Sequence, residues 1–281
     1  PSREQTSALE AMELLPKGDT RWCIAAGQAA IASGKLGDRR RLESVASELI
    51  ELGREGRASG RMVIAAARAS IPLLLAGLRA PAEQLLTHVN RHGDAIAWSD
   101  PGVAAWIHLA RGTYAAELGA PRTALIHMEE AAERFEEAGD VRGACAQCAN
   151  IGWTGLEVGE TERAERALRA GIDKAGTLGL SHVVSNARIY LGLVLARQGA
   201  HEEATALVQE AVRGFFARGN QRMEAVARRA LAEVRSLAGD LEGAESEARQ
   251  AVQIAREMPP IKAYALSTLA DILRARGHAE E

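Results

Sequence analysis

Leu191-Gly192-Leu193-Val194-Leu195-Ala196-Arg197-Gln198-Gly199-Ala200-His201-Glu202-Glu203-Ala204 carries the outline that decides the fold. An apolar run passes through a glycine, breaks at Gln198-Gly199-Ala200, and resumes after a polar start at Ala204. The outline recurs. Gly119, Gly159, Gly199 and Gly239 stand 40 residues apart, and an alanine follows each of them five residues on, at Ala124, Ala164, Ala204 and Ala244. A second series lies 20 residues after the first, at Gly139, Gly179 and Gly219, with Pro259 in the fourth place. A fixed period of this length marks a repeat array, in which each unit buries its apolar face against its neighbours.

Between these turns the apolar residues recur at three and four, as in Ala164, Ala167, Leu168, Gly171 and Ile172, or Ala204, Leu207, Val208, Ala211 and Val212. That is the spacing of an amphipathic helix, so each half unit reads as one helix. Small residues also keep register, at Gly112, Gly152, Gly192 and Ala232 in the first helices and at Ala131, Gly171, Ala211 and Ala251 in the second. A glycine inside a helix costs roughly 0.5–1 kcal/mol relative to alanine. Its recurrence predicts a facing helix too close to admit a side chain. Gly139, Gly179 and Gly219 suit the left-handed backbone past a helix C-terminus, and Asp140, Asn220 and Asp240 are N-caps for the helices that follow.

Ile151-Gly152 with Ala164 and Leu168, and Leu191-Gly192 with Ala204 and Val208, resemble the Leu-Gly and Ala-x3-Phe positions of the tetratricopeptide repeat. The unit is longer than the usual 34 residues, lacks the terminal proline, and has Cys148, Arg188 and Arg228 in place of the signature tryptophan. The lengthened unit and the Cys148-Ala149-Asn150-Ile151-Gly152 run are similar to the repeats of kinesin light chain and Pins-type adaptors, and such arrays also occur in bacterial multidomain signalling regulators. The resemblance implies an all-α, right-handed superhelical solenoid of antiparallel helix pairs, about 14 helices in all. It divides the chain into a partial repeat 1–18, repeats at about 19–56, 57–101, 102–139, 140–179, 180–219 and 220–258, and a partial repeat 259–281. In the earlier part Gly77 and Ala82 repeat the marker pair 42 residues before Gly119, with the two extra residues expected within 92–102, and Gly34 or Gly37 anchors a further unit. Residues Ala8 to Leu15 read as a second helix lacking its first, and Arg276-Gly277-His278-Ala279-Glu280-Glu281 as the opening of another second helix. The expectation is therefore a segment of a longer polypeptide, with uncapped ends through which copies can associate as a homo-oligomer.

Composition narrows the function classes. The charge is -3, from 37 acidic and 34 basic residues interspersed along the chain, which advertises neither nucleic acid nor an anionic membrane. The apolar stretch around Ile71 to Leu78 contains Pro72 and Gly77 and is far shorter than the roughly 20 residues of a membrane span. Three cysteines without framework spacing point to a reducing compartment, the cytoplasm.

Motifs that carry chemistry elsewhere read structurally here. Cys145 and Cys148 share a helix face, but a zinc site wants a second pair and a redox motif a preceding strand, so they read as small apolar residues at a repeat interface. His88 and His92 have metal-ligand spacing without a third ligand and read as a solvated helix end. Gly53 to Gly60 lacks the strand and Gly-Lys-Ser of a phosphate loop and reads as a helix-to-helix turn, and Arg39-Arg40-Arg41 as a solvated helix start. No serine, histidine and acid constellation is brought together, so neither an enzyme nor a cofactor site is expected.

By the resemblance, first helices line a concave groove. The positions expected in it are Trp106, Leu109 and Thr113; Asn150, Trp153 and Glu157; Asn186, Ile189, Tyr190, Leu193 and Arg197; then Arg229, Glu233, Tyr264 and Asp271. Asparagine and arginine bond peptide backbone and carboxylates, and Trp and Tyr anchor binding hot spots. Trp106 and Trp153 read equally well as core packing. The lysines of a chaperone-binding carboxylate clamp are missing. The favoured reading is a scaffold or regulatory module binding a protein or peptide within a larger bacterial signalling protein. The alternatives are an array that senses a ligand or signalling peptide and controls an attached kinase, ATPase or DNA-binding domain, and a self-assembling structural spacer.

Overall fold

A computed structural model describes residues 2–277; the expected second-helix opening at 276–281 falls largely outside them. The described chain is all-α. Its helices are α1 (Arg3–Leu14), α2 (Thr20–Leu36), α3 (Arg39–Arg54), α4 (Gly60–Leu75), α5 (Arg79–Ala97), α6 (Pro101–Glu117), α7 (Pro121–Glu137), α8 (Val141–Val158), α9 (Thr161–Thr177), α10 (Ser181–Arg197), α11 (His201–Ala217), α12 (Gln221–Leu237), α13 (Leu241–Ile254) and α14 (Pro259–Ala275), with a short 3-10 turn at Ala255–Glu257. They form two compact units, one reaching to Ala144 and the other starting at Cys145.

The turn chemistry read from the repeat is what the backbone uses. Gly139, Gly179 and Gly219 have φ of +72°, +66° and +63°. Asp140 Oδ1 accepts from Gly143 N at 2.8 Å, Asn220 Oδ1 from Met223 N at 3.2 Å, and Asp240 Oδ1 from Gly243 N at 2.9 Å. Each such cap is worth about 1 kcal/mol. Of the two candidate anchors near the start, Gly37 takes the left-handed turn at φ +68°, whereas Gly34 lies where an added Cβ would run into the Pro72 ring inside α4.

In the first unit α2, α4 and α6 pack side by side as first helices, with α3, α5 and α7 as their seconds. Trp22, Leu42, Leu49, Met62, Leu73, Leu85 and Ile107 fill the core between them. Helix α5 has 19 residues against 17 in α7, so the additional positions before Pro101 lengthen a helix rather than a loop. His88 corrects its expected place at a solvated helix end. It is buried, and Gly53 on α3 leaves room for its ring, since a Cβ there would stand 3.1 Å from His88 Nδ1. Its ring lies 4.8 Å from that of His92.

In the second unit the recurring small residues mark helix crossings. A Cβ on Gly152 would approach Leu168 to 2.6 Å, and one on Gly192 would meet Val208 and come within 3.0 Å of the Ala204 carbonyl. The second-helix glycine of the same pair, Gly171, faces Cys148. Both cysteines of the Cys145/Cys148 motif are buried free thiols, and burial pushes Cys148 up to about 12, so it packs rather than reacts. Phe215, Ile189, Leu168 and Val208 complete the core there.

Candidate partner-binding faces

The face that successive first helices present was expected to carry the site, and each unit can be followed separately. In the first unit Trp106 is half-buried. Its ring meets Phe135 edge to face at 5.3 Å, and the Arg68 guanidinium lies over it at 4.9 Å. Gly27 on α2 closes the other side of Arg68, because a Cβ there would stand 3.3 Å from Arg68 Cδ. Trp106 therefore serves as packing and as part of the face at once. Leu109 and Thr113 do not belong to it: both are buried, and the Thr113 hydroxyl donates to the Leu109 carbonyl at 2.8 Å inside the helix.

In the second unit four of the expected residues come together. Arg197 donates to the Leu156 carbonyl at 3.1 Å and approaches Glu233 at 3.8 Å, and Glu233 pairs with Arg229 at 3.3 Å. Tyr190 is the electrostatic neighbour of Arg229 and of Arg222. Burial raises the Tyr190 phenol above its ordinary range against the pull of both arginines, so it acts as a neutral hydrogen-bonding group. Asn186, one turn before Tyr190 on α10, is half-buried with its Oδ1 unpartnered. Asn150 Nδ2 donates to Gln147 Oε1 at 2.8 Å, Trp153 is half-buried, and Glu157 is exposed. Ile189 and Leu193 belong to the core instead, 0% and 5% exposed, since they sit on the side of α10 turned toward its neighbours. Tyr264 and Asp271 are exposed on α14, Asp271 pairing with Arg274 at 2.8 Å, and neither is a charge or hydrogen-bond partner of the network.

Two residues of these faces were missed in the sequence. Arg222 follows the same helical stripe as Arg229 and Glu233, a spacing that was there to be read. Arg68 is the lone cation in the apolar, alanine-rich run from Met62 to Leu75, a signal of a different kind.

Away from these faces the first unit has a cleft of about 630 Å³ between α5, α6 and α7, lined among others by Glu83, Asn90, Arg111, Tyr114 and His127. Its polar groups are already engaged. Glu83 accepts from the Tyr114 hydroxyl at 2.9 Å and from Arg79 at 2.7 Å, Arg111 donates to Asn90 and Asp94, both at 2.9 Å, and His127 Nδ1 lies 3.1 Å from His108 Nδ1. Among the described residues no group of three His, Cys, Asp or Glu side chains is placed to hold a metal, and no helix is long and apolar enough to cross a membrane.

No family model and no curated protein matches the sequence. Solved structures do match. A Rap protein complexed with competence and sporulation factor superposes with a TM-score of 0.72 at 16% identity, over 92% of this chain and 72% of that one. NprR in complex with its cognate peptide NprX gives 0.61 at 12% identity, over 91% and 73%. A signal transduction ATPase with numerous domains from Pyrococcus horikoshii, described as having a tetratricopeptide repeat sensor, gives 0.60 at 16% identity, and this chain spans 41% of its length. At these identities the likeness is one of fold. The chain is a tetratricopeptide-like helical repeat protein.

Proposed function

We propose that this chain is a protein- or peptide-binding module and that the faces of its first helices are the binding surfaces. The observation that carries the reading is the polar network of the second unit, where Arg197, Arg229, Glu233 and Tyr190 gather beside Asn186 with its uncommitted amide oxygen. Two arginines, an asparagine and a neutral tyrosine are groups that bond an extended backbone and its side chains. Nothing in the network has the nucleophile, base and oxyanion donors of a reaction centre. Two fold neighbours carry a factor or peptide in their structures and a third carries its repeats as a sensor, which supports a role as the regulatory part of a larger bacterial signalling protein.

The test is panning a random peptide library, displayed on phage, against the purified protein. The expected result is a pool retained by the parent and lost by a Tyr190→Ala, Arg229→Ala double variant of unchanged helicity. A parent that retains nothing, or a variant that retains the same pool equally well, overturns the reading of this face.

A further inference from the structure

Arginines near the first-helix faces are mostly matched to carboxylates. Arg229 and Arg197 share Glu233, Arg188 meets Glu210 at 2.9 Å, and Arg228 meets Glu224 at 2.9 Å and Glu247 at 2.8 Å. Arg68 and Arg222 stand apart from these: both are half-buried, and neither has a carboxylate at ion-pair distance among the described residues. Arg68 rests on the Trp106 ring with its Nε buried and unpartnered. Its charged neighbours, Glu4 and Asp140, act on it only at a distance. Arg222 has Tyr190 as its electrostatic neighbour, a phenol that is uncharged at neutral pH. Burial holds both guanidinium groups below the usual arginine range, most of their water having been removed without an anion in return.

Each unit thus presents on a first helix a half-buried arginine without a carboxylate partner, which in the first unit lies over an aromatic ring. An incoming anion recovers the lost solvation, and the geometry says which anion. A phosphate dianion draws on several converging donors, whereas each of these positions offers one planar guanidinium, the match for a single carboxylate. The recurrence of such a position in each unit points to side-chain carboxylates, which acidic segments supply anywhere along their length, rather than to a chain terminus, which each supplies once.

We propose that these faces recognise acidic segments, an Asp or Glu carboxylate being received in the first unit by Arg68 on Trp106 and in the second by Arg222. The proposal rests on the peptide-binding reading and gives it a ligand class. Its test uses a library fused through the peptide C-terminus, so that no free terminal carboxylate is offered. The pool retained by the parent is expected to be enriched in Asp and Glu. Retained peptides, synthesised with amidated ends and followed by fluorescence anisotropy, are expected to lose roughly tenfold in affinity when the arginine of the unit they occupy, Arg68 or Arg222, becomes methionine, the scale of one charge-assisted hydrogen bond. Replacing the peptide's Asp and Glu by Asn and Gln is expected to give a similar loss.

Methionine keeps the apolar stem on the ring, and Arg222→Met reads the proposal independently if Arg68→Met does not fold. A retained pool without acidic enrichment overturns this proposal and leaves peptide binding standing. An empty pool overturns both. Acidic peptides that bind both arginine variants as tightly as the parent overturn it as well, as does binding confined to a library with free C-termini and no Asp or Glu bias.

Discussion

His108–His127 in the first unit and Arg228–Glu247 in the second occupy the same register, each pair separated by 19 residues and bridging the two helices of a repeat. In the first unit the contact is Nδ1 to Nδ1 at 3.1 Å, one ring donating and the other accepting, which requires at least one neutral imidazole. In the second it is an ion pair at 2.8 Å with both side chains largely buried, 17% and 13% exposed, and Glu224 as a further carboxylate. The first-helix faces differ in the same way: Arg68 rests on an aromatic ring, whereas Arg229 and Arg197 are held by Glu233. One backbone scaffold therefore accepts neutral or ionic chemistry at equivalent positions, and the repeat fixes where the contact lies but not what it is made of.

The comparison can be broken hardest at its phenylalanines. Phe135 and Phe215 stand 80 residues apart in one register, 1% and 0% exposed. Alanine at either is expected to cost about 3–5 kcal/mol in urea unfolding. Only Phe135→Ala is expected to shift the fluorescence of Trp106, whose ring it meets edge to face. Equal spectral shifts in both variants would undo the assignment.

Glycines at the helix crossings should separate the units next. Gly192→Ala meets Val208 and the Ala204 carbonyl, one a branched side chain and the other backbone, and is expected to cost about 1–3 kcal/mol. At Gly112 an added Cβ meets the Met128 methyl, which can swing away, at 3.0 Å, and His127 Cβ and the Ala124 carbonyl at 3.1 and 3.3 Å, contacts that a few tenths of an ångström of movement relieve. Gly112→Ala is expected to be close to neutral, its helix propensity offsetting part of the crowding. Equal melting-temperature losses would contradict this.

The ion pair comes third. Arg228→Met leaves Glu224 and Glu247 facing each other across the helix pair and is expected to cost about 1–3 kcal/mol. Adding Glu247→Leu should recover part of the loss, since a matched apolar pair can replace a buried ionic one. No recovery would mean that Arg228 contributes mainly through the packing of its stem.

The smallest effect is one of pH. Burial lowers the affinity of His108 and His127 for a proton. The His127 ring, then Arg111 and Arg134, lower His108 further, Arg111 lowers His127, and Glu130 opposes the shift at both. The unfolded chain then binds more protons than the folded one below about pH 6.5. Stability is full above that value and lost as pH falls through the folded pKa. Thermal melts between pH 7 and pH 5 should show the loss, and His127→Gln should flatten it. A steeper profile in that variant would place the proton elsewhere.

The fold was legible because the features that set it are periodic. Gly139, Gly179 and Gly219 must take a backbone that side chains resist, and Gly152 and Gly192 must admit a neighbouring helix, so both needs surface as fixed spacing. The candidate site was legible only where it shared that period. Tyr190, Arg197, Arg229 and Glu233 follow from the first-helix register, but Ile189 and Leu193 were assigned to the face although they lie in the core, because neighbouring positions on a helix can differ by 100° while the face is narrow. Arg68 belongs to the less regular first unit, and the role proposed for it depends on what is missing around it, which no spacing announces. His88 was misplaced for a related reason: the space it fills is made by Gly53, 35 residues away in another helix.

The close crossings have one more consequence, for how the chain assembles itself. Gly192 meets Val208 16 positions ahead, and Arg197 reaches Leu156 41 positions behind. Contacts of that reach put the protein among low-contact-order folds, which close small loops and form quickly from local nuclei. A helix pair finds its partners as soon as the next pair has left the ribosome, so structure can grow along the chain in the order of synthesis.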